Sequence, residues 1–252
     1  PDVIDYPRHI QPLWDKHCVK CHSPEKPDGR VVLTGDYNDW FTQSYYALFS
    51  SNQVSDSEGY AEDGNRAARR FGSVASPLMQ KIDGSHYQVR LSERERWLVQ
   101  LWIDTGATYP GTYAALRPGT PPTGHTQPDR RDAHPVRFGT VDADAKLAGG
   151  ESLSAIVKRR CMTCHSATLP LGRGIRKKNL EFLNVPQHYC LNLYNLTHPQ
   201  KSMILLAPLA KEEGGYDWCR AHPAHGAPTR PAVFASKLDK DYRAIQGAIE
   251  AA

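Results

Sequence analysis

The chain is poor in what would classify it at once. No apolar run approaches the roughly 20 residues a membrane-spanning helix needs, and mean hydropathy is −0.57. That excludes a bilayer span within the 252 residues and fits a globular chain with 40% hydrophobic and 23% charged residues. Charge of one sign is also missing. A formal net charge of +4, scattered along the chain, is too mild to argue for nucleic acid. The local basic run Arg173, Arg176, Lys177 and Lys178 reads as a solvated loop before it reads as a dock for an acidic partner or a cofactor's carboxylates. The opening, PDVIDYPRHI, lacks an initiator Met and the basic-then-apolar pattern of a signal peptide, so a processed form or a piece of a longer protein is expected. Cysteine is scarce too, at 6 residues, which excludes a disulfide-built scaffold.

Four of those six cysteines are nonetheless placed with economy. Cys18, Cys21 and His22 form C-x-x-C-H, and Cys161, Cys164 and His165 repeat it about 140 residues later. A zinc ribbon needs two C-x-x-C pairs at one metal, and a thioredoxin-type pair needs a βαβ setting; neither context is present. The spacing instead suits covalent haem. Two thiols three residues apart reach the two vinyl groups on one porphyrin edge, and the following imidazole swings beneath the iron. Two covalently bound c-type haems are therefore expected, with Cys18, Cys21, Cys161 and Cys164 as thioether positions and His22 and His165 as proximal ligands.

The surroundings of the two motifs correspond. Ile10, Leu13 and Trp14 make one apolar face running into Cys18, and Leu153, Ile156 and Val157 do the same before Cys161. The first half closes with LSERERWLVQLWIDTGA, where Ser92 and Glu95 match a capping box, Trp97, Leu98, Leu101 and Trp102 form a stripe, and Gly106 suits the end of a helix. The second closes with Tyr242, Ile245 and Ile249 on one face. Residues 110–136, dense in Pro, Gly and Thr, read as a connector. The expected architecture is mainly α: two tandem class I cytochrome c-like domains, 1–115 and 141–252, each wrapped around one covalent haem and joined by a Pro/Gly-rich linker at 116–140.

Function turns on the second axial ligand of each iron, because closed irons pass electrons and an open one hosts ligands. In the first half the choice lies between His86, after a Gly-Ser turn, and Met79, whose neighbours Leu78 and Ile82 make it look like core; His86 is favoured. In the second half His222 or His225 occupies the matching position, with Met203, His188 and His198 open, and Met203 again resembling core. His9, His17, His125 and His134 read as solvated. Cys190 and Cys219, left over in an oxidising compartment, are expected to pair. The leading expectation is electron transfer between redox partner proteins or to a catalytic module, rather than catalysis within this chain. The alternative is a haem enzyme or gas sensor with one open or labile iron. Covalent haem attachment implies a periplasmic or other extracytoplasmic location, with no membrane span and no nucleic acid.

The segments HCVKCHSPEKPDGRVVLTGD, VRLSERERWLVQLWIDTGATYPGTY, YNLTHPQKSMILLAPLAKEEGGYDWC and VFASKLDKDY resemble the haem-bearing C-terminal part of the hydrazine synthase alpha subunit and its planctomycete relatives. The resemblance covers nearly the whole chain apart from the linker. It implies a β-propeller module preceding the haem domains in a longer parent, and a bis-histidine second haem that relays electrons, in agreement with His165 plus His222 or His225. In that family a tyrosine four residues beyond the first motif histidine binds the catalytic iron while that histidine engages zinc. Lys26 stands at that position and the next tyrosine is Tyr37. A hydrazine-synthase-like protein that does not itself make hydrazine is therefore expected.

Overall fold

The computed structural model describes residues 3–38, 41–55, 67–109, 141–142, 144, 146–147, 150–162, 165, 193–219 and 231–252. It is mainly helical, and β structure among these residues amounts to isolated bridges. None of its helices is long and apolar enough to cross a membrane. The described residues form two compact units, one of residues 3–35, 41–55 and 67–109, the other of residues 36–38 with the described residues from 141 onward. Each has its own buried apolar cluster. The 116–140 linker lies outside the described residues.

In the first unit Asp5 caps a short π-turn, Tyr6–Ile10, by accepting the Arg8 N–H, and the chain continues into α1, Gln11–His17. The expected face is buried, with Ile10, Leu13 and Trp14 in the core. A relay of hydrogen bonds runs beneath it. Trp14 Nε1 donates to Tyr6 Oη (2.9 Å), Tyr6 to Ser44 (2.9 Å), and Ser44 to Gln11. Gln11 then donates to the Leu33 carbonyl (3.1 Å), so the buried polar groups satisfy one another. Thr42 caps α2, Gln43–Ser50, and α3 spans Pro77–Lys81.

Helix α4, Glu93–Asp104, begins with the expected capping box: Ser92 Oγ accepts the Glu95 N–H, and Glu95 Oε2 accepts the Ser92 N–H (2.9 Å). Gly106 follows its end with φ +103. The core face differs from expectation. Val99, Trp102 and Ile103 are buried, whereas Trp97 is 59% exposed. Glu95 lies one turn before Val99 and two before Trp102, and it pairs with Lys16 (2.8 Å) and His17 (3.3 Å) of α1. Burial of Val99, Trp102 and Ile103 in the core sets this rotation, with Glu95 meeting α1 on the same side and Trp97 left outside.

The second unit repeats the plan. Ser152 caps α5, Leu153–Arg160, which buries Leu153 and Ile156 and half-buries Val157. Asp239 caps α7, Lys240–Glu250, by accepting the Asp241 (2.8 Å) and Tyr242 (3.3 Å) N–H groups, and Tyr242, Ile245 and Ile249 are buried as expected. Between them α6, Met203–Leu206, buries Ile204, Leu205 and Leu206. Met203, expected in the core, is half-buried at the first position of this single turn. Residues 36–38 join this unit through Tyr37 N–H to Thr197 (2.9 Å) and Leu196 N–H to the Tyr37 carbonyl (2.8 Å).

The Glu95 carboxyl is held at about 2, below its ordinary 4.5, first by the Lys16 hydrogen bond and then by the Ser92 N–H. A carboxyl depressed in the folded state stabilises it above the ordinary value, and this contribution fades as pH falls from about 4.5 towards about 2. Glu95→Gln is expected to destabilise the first unit by about 1 kcal/mol at neutral pH, the usual worth of a cap. Urea unfolding at pH 7 and near pH 2.5 checks this: the gap from wild type narrows at the acid end.

Candidate functional site

The last turn of α1 does not stop at Cys18 but tightens through the motif. The Cys18 carbonyl accepts both the Cys21 and His22 N–H groups (3.0 Å each), which sets the motif as one helical turn. From there the loop folds back. Asp28 N–H reaches the Cys21 carbonyl (3.0 Å), and Leu33 N–H reaches the His22 carbonyl (2.7 Å). Leu33 therefore ties His22 to the same relay that runs through Gln11, Ser44, Tyr6 and Trp14. Cys18 is the more enclosed thiol. Burial, with a smaller contribution from Cys21, pushes it up to about 12, so it is not a thiolate at neutral pH. Lys26 Nζ sits 3.5 Å from Cys21 Sγ and 3.4 Å from Asp28.

Opposite His22 stands His86. The loop between α3 and α4 is pinched at its base by Leu91 N–H to the Ile82 carbonyl (3.1 Å) and by an antiparallel backbone β-bridge between Asp83 and Arg90. Gly84, φ +109, lies so close to Arg90 that a Cβ there would meet the guanidinium at 3.0 Å. The tip closes with Val89 N–H to the His86 carbonyl (2.9 Å). Tyr87 and Gln88, its two central residues, have φ 48 and φ 62, the positive pair of a type I′ turn. Each left-handed residue with a Cβ costs about 1–2 kcal/mol.

The result is two imidazoles with centroids 6.0 Å apart and planes within 16° of parallel. The rings are stacked, and a metal–imidazole bond lies in the ring plane at about 2 Å, so both rings ligate one ion only when each turns a nitrogen towards it. His22 Nδ1 is buried with no protein partner, an orphan of the kind an ion or a bound group satisfies. His86 is held below the usual histidine range, first by partial burial and then by His22 and Lys81, which keeps its ring neutral and able to ligate. The donor set, Cys18 and Cys21 on one turn with the imidazoles of His22 and His86 beside it, fits a covalently attached haem. Met79 is buried in the core cluster.

The second motif begins in the same way. Cys161 N–H reaches the Val157 carbonyl (2.8 Å), and His165 N–H reaches the Cys161 carbonyl (3.0 Å), as Cys18 and His22 do in the first unit. Cys161 is buried. Cys164, His188, His222 and His225 lie outside the described residues, as do Arg173, Arg176, Lys177 and Lys178. The expected Cys190–Cys219 pair also falls there through Cys190. His198 is bound to Asp36 (3.1 Å), a residue that also accepts from Asn195 (2.7 Å).

One feature common to both units was not anticipated. The two residues preceding each motif clamp the first turn of the closing helix. In the first unit Lys16 and His17 hold Glu95; His17, expected to be solvated, is half-buried because it ends α1 against that carboxylate. In the second, Arg159 reaches Asp241 (3.1 Å) and Glu151 (2.9 Å). Arg160 takes Asp239, Asp241 (3.3 Å) and the Val233 carbonyl (3.0 Å), with its guanidinium 5.0 Å from the Phe234 ring centre. Basic residues at a helix end and acids at a helix start also complement both dipoles. The signal available in sequence was the pair of basic residues before each motif. His9 is exposed and accepts the Asp5 N–H (2.8 Å), while His125 and His134 lie outside the described residues.

No protein-family model, curated protein or solved structure matches the chain.

Proposed function

We propose that the chain is a dihaem c-type cytochrome of hydrazine-synthase-alpha-like type, two class I cytochrome c-like domains that pass single electrons between redox partners or to a catalytic module. The observation that supports this reading is the approach of His86 to within 6.0 Å of His22 beside the Cys18–Cys21 turn. A bound haem supplies one-electron exchange between two iron oxidation states. The chain's own residues do the rest. Cys18 and Cys21 would hold the haem covalently, His22 and His86 would ligate its iron, and the relay behind Leu33 anchors the His22 backbone. In the second unit Cys161, Cys164 and His165 take the corresponding roles, with His222 or His225 as the second ligand. An extracytoplasmic compartment, redox partner proteins and an adjoining β-propeller in a longer parent belong to the same proposal.

Intact mass under denaturing conditions should exceed the polypeptide by two haems. His86→Ala should convert about half of the ferric haem from low spin to high spin. A mass equal to the bare polypeptide sinks the proposal, and an unchanged spin state in the variant removes His86 from it.

A further inference from the structure

Resting on the reading of the first motif as a haem site, we propose that His86 is an exchangeable ligand. It is held on the iron by a strained turn, and its release admits a small neutral ligand such as carbon monoxide. The evidence is the mismatch between the turn and its residues. A type I′ turn asks for positive φ at both centres and is ordinarily built from Asn-Gly or similar pairs. Here Tyr87 and Gln88 occupy them, with φ 48 and φ 62.

Burial does not offset the strain. Tyr87 is 89% exposed, and the aromatic contact its ring makes is an edge-on approach to His86 at 4.9 Å. The pinched base at Ile82–Leu91 and Asp83–Arg90 stays closed while the tip, residues 86–89, carries the strain. Relaxing Tyr87 and Gln88 to negative φ would break the Val89-to-His86 bond and draw His86 away from His22. The loop therefore has two states, and a ligand that occupies the vacated face selects the second. Electron flow through the first unit would stop when such a ligand is present.

The test is Tyr87→Gly/Gln88→Gly in the full haem-loaded chain. Glycine accepts positive φ without the Cβ penalty but also favours the open loop entropically, so the net gain for the closed turn is modest. In the wild type, carbon monoxide should shift the reduced spectrum of about half the haem. In the variant its apparent dissociation constant should rise about tenfold. Hydrogen exchange of the Val89 amide, which reports the turn itself, should slow by a similar factor. Asn52→Gly relieves another left-handed residue, φ 54, outside this loop, and should change neither quantity. Two covalent haems with no carbon monoxide shift, or a variant with unchanged affinity and exchange, overturn the proposal and leave the electron-transfer reading standing. Absence of covalent haem overturns both.

Discussion

Cys18→Ser/Cys21→Ser should leave the chain with half of its covalent haem. Each thiol supplies one thioether, and a serine hydroxyl does not add to a vinyl group under the conditions that attach haem. The two motifs stand in units with separate cores, so loss at one should not empty the other. Denaturing mass and in-gel haem staining read the result directly: one added haem in the variant against two in the parent. The single variants separate the two sulphurs. Cys18 is enclosed and pushed up to about 12, whereas Cys21 stands beside Lys26. Each single variant should retain its haem through one thioether. An unchanged mass in the double variant would show that this motif holds no covalent haem.

Trp102→Ala is expected to cost the first unit about 3–5 kcal/mol, the range for removing a large buried aromatic. Trp102 is fully buried, its ring centre 5.1 Å from Tyr6 and 6.3 Å from Tyr45, and its indole N–H donates to the Thr108 carbonyl (2.9 Å). The same cluster fastens the start of the unit to its end, since Tyr6 N–H donates to the Tyr109 carbonyl (2.9 Å) and Tyr45 Oη to the Ala107 carbonyl (2.9 Å). Alanine leaves a cavity and an unpaired carbonyl together, so the loss should sit at the upper part of the range. Urea unfolding followed by unit-specific hydrogen exchange measures it. Protection should fall at Trp14 and Val99 while Ile156 and Ile245, in the other core, keep theirs. A cost below about 1 kcal/mol would mean that this cluster does not hold the unit together.

Trp97 shows why part of this was legible and part was not. Read alone, α4 offers two apolar stripes that share Trp102, one through Trp97, Leu98 and Leu101 and one through Val99 and Ile103. Periodicity ranks them no further. The choice falls to packing against distant residues such as Tyr6 and Trp14, and Glu95 meets Lys16 and His17, 79 and 78 residues away in sequence, on that same side. The Ser92–Glu95 capping box needed no such partner, because donor and acceptor lie within one turn. Met203 failed for the reason Trp97 did: an apolar residue in a four-residue helix has no periodicity to reveal which side the core takes. His17 failed because its role depends on a carboxylate from another helix.

The chain's own sequence determined what is settled within a few residues. That comprises the caps at Ser92, Ser152 and Asp239, the buried faces of Ile10–Trp14, Leu153–Ile156 and Tyr242–Ile249, the end of α4 at Gly106, and the twin C-x-x-C-H spacing. Hydrogen bonds and periodicity at short range depend on residue order alone. Tertiary structure decided the rotation of α4, the basic clamps before both motifs, and the facing of His22 and His86 across 6.0 Å. It also decided the left-handed turn at Tyr87 and Gln88, against their local preference. These are contacts between distant segments, and their energies appear only once packing has brought the segments together.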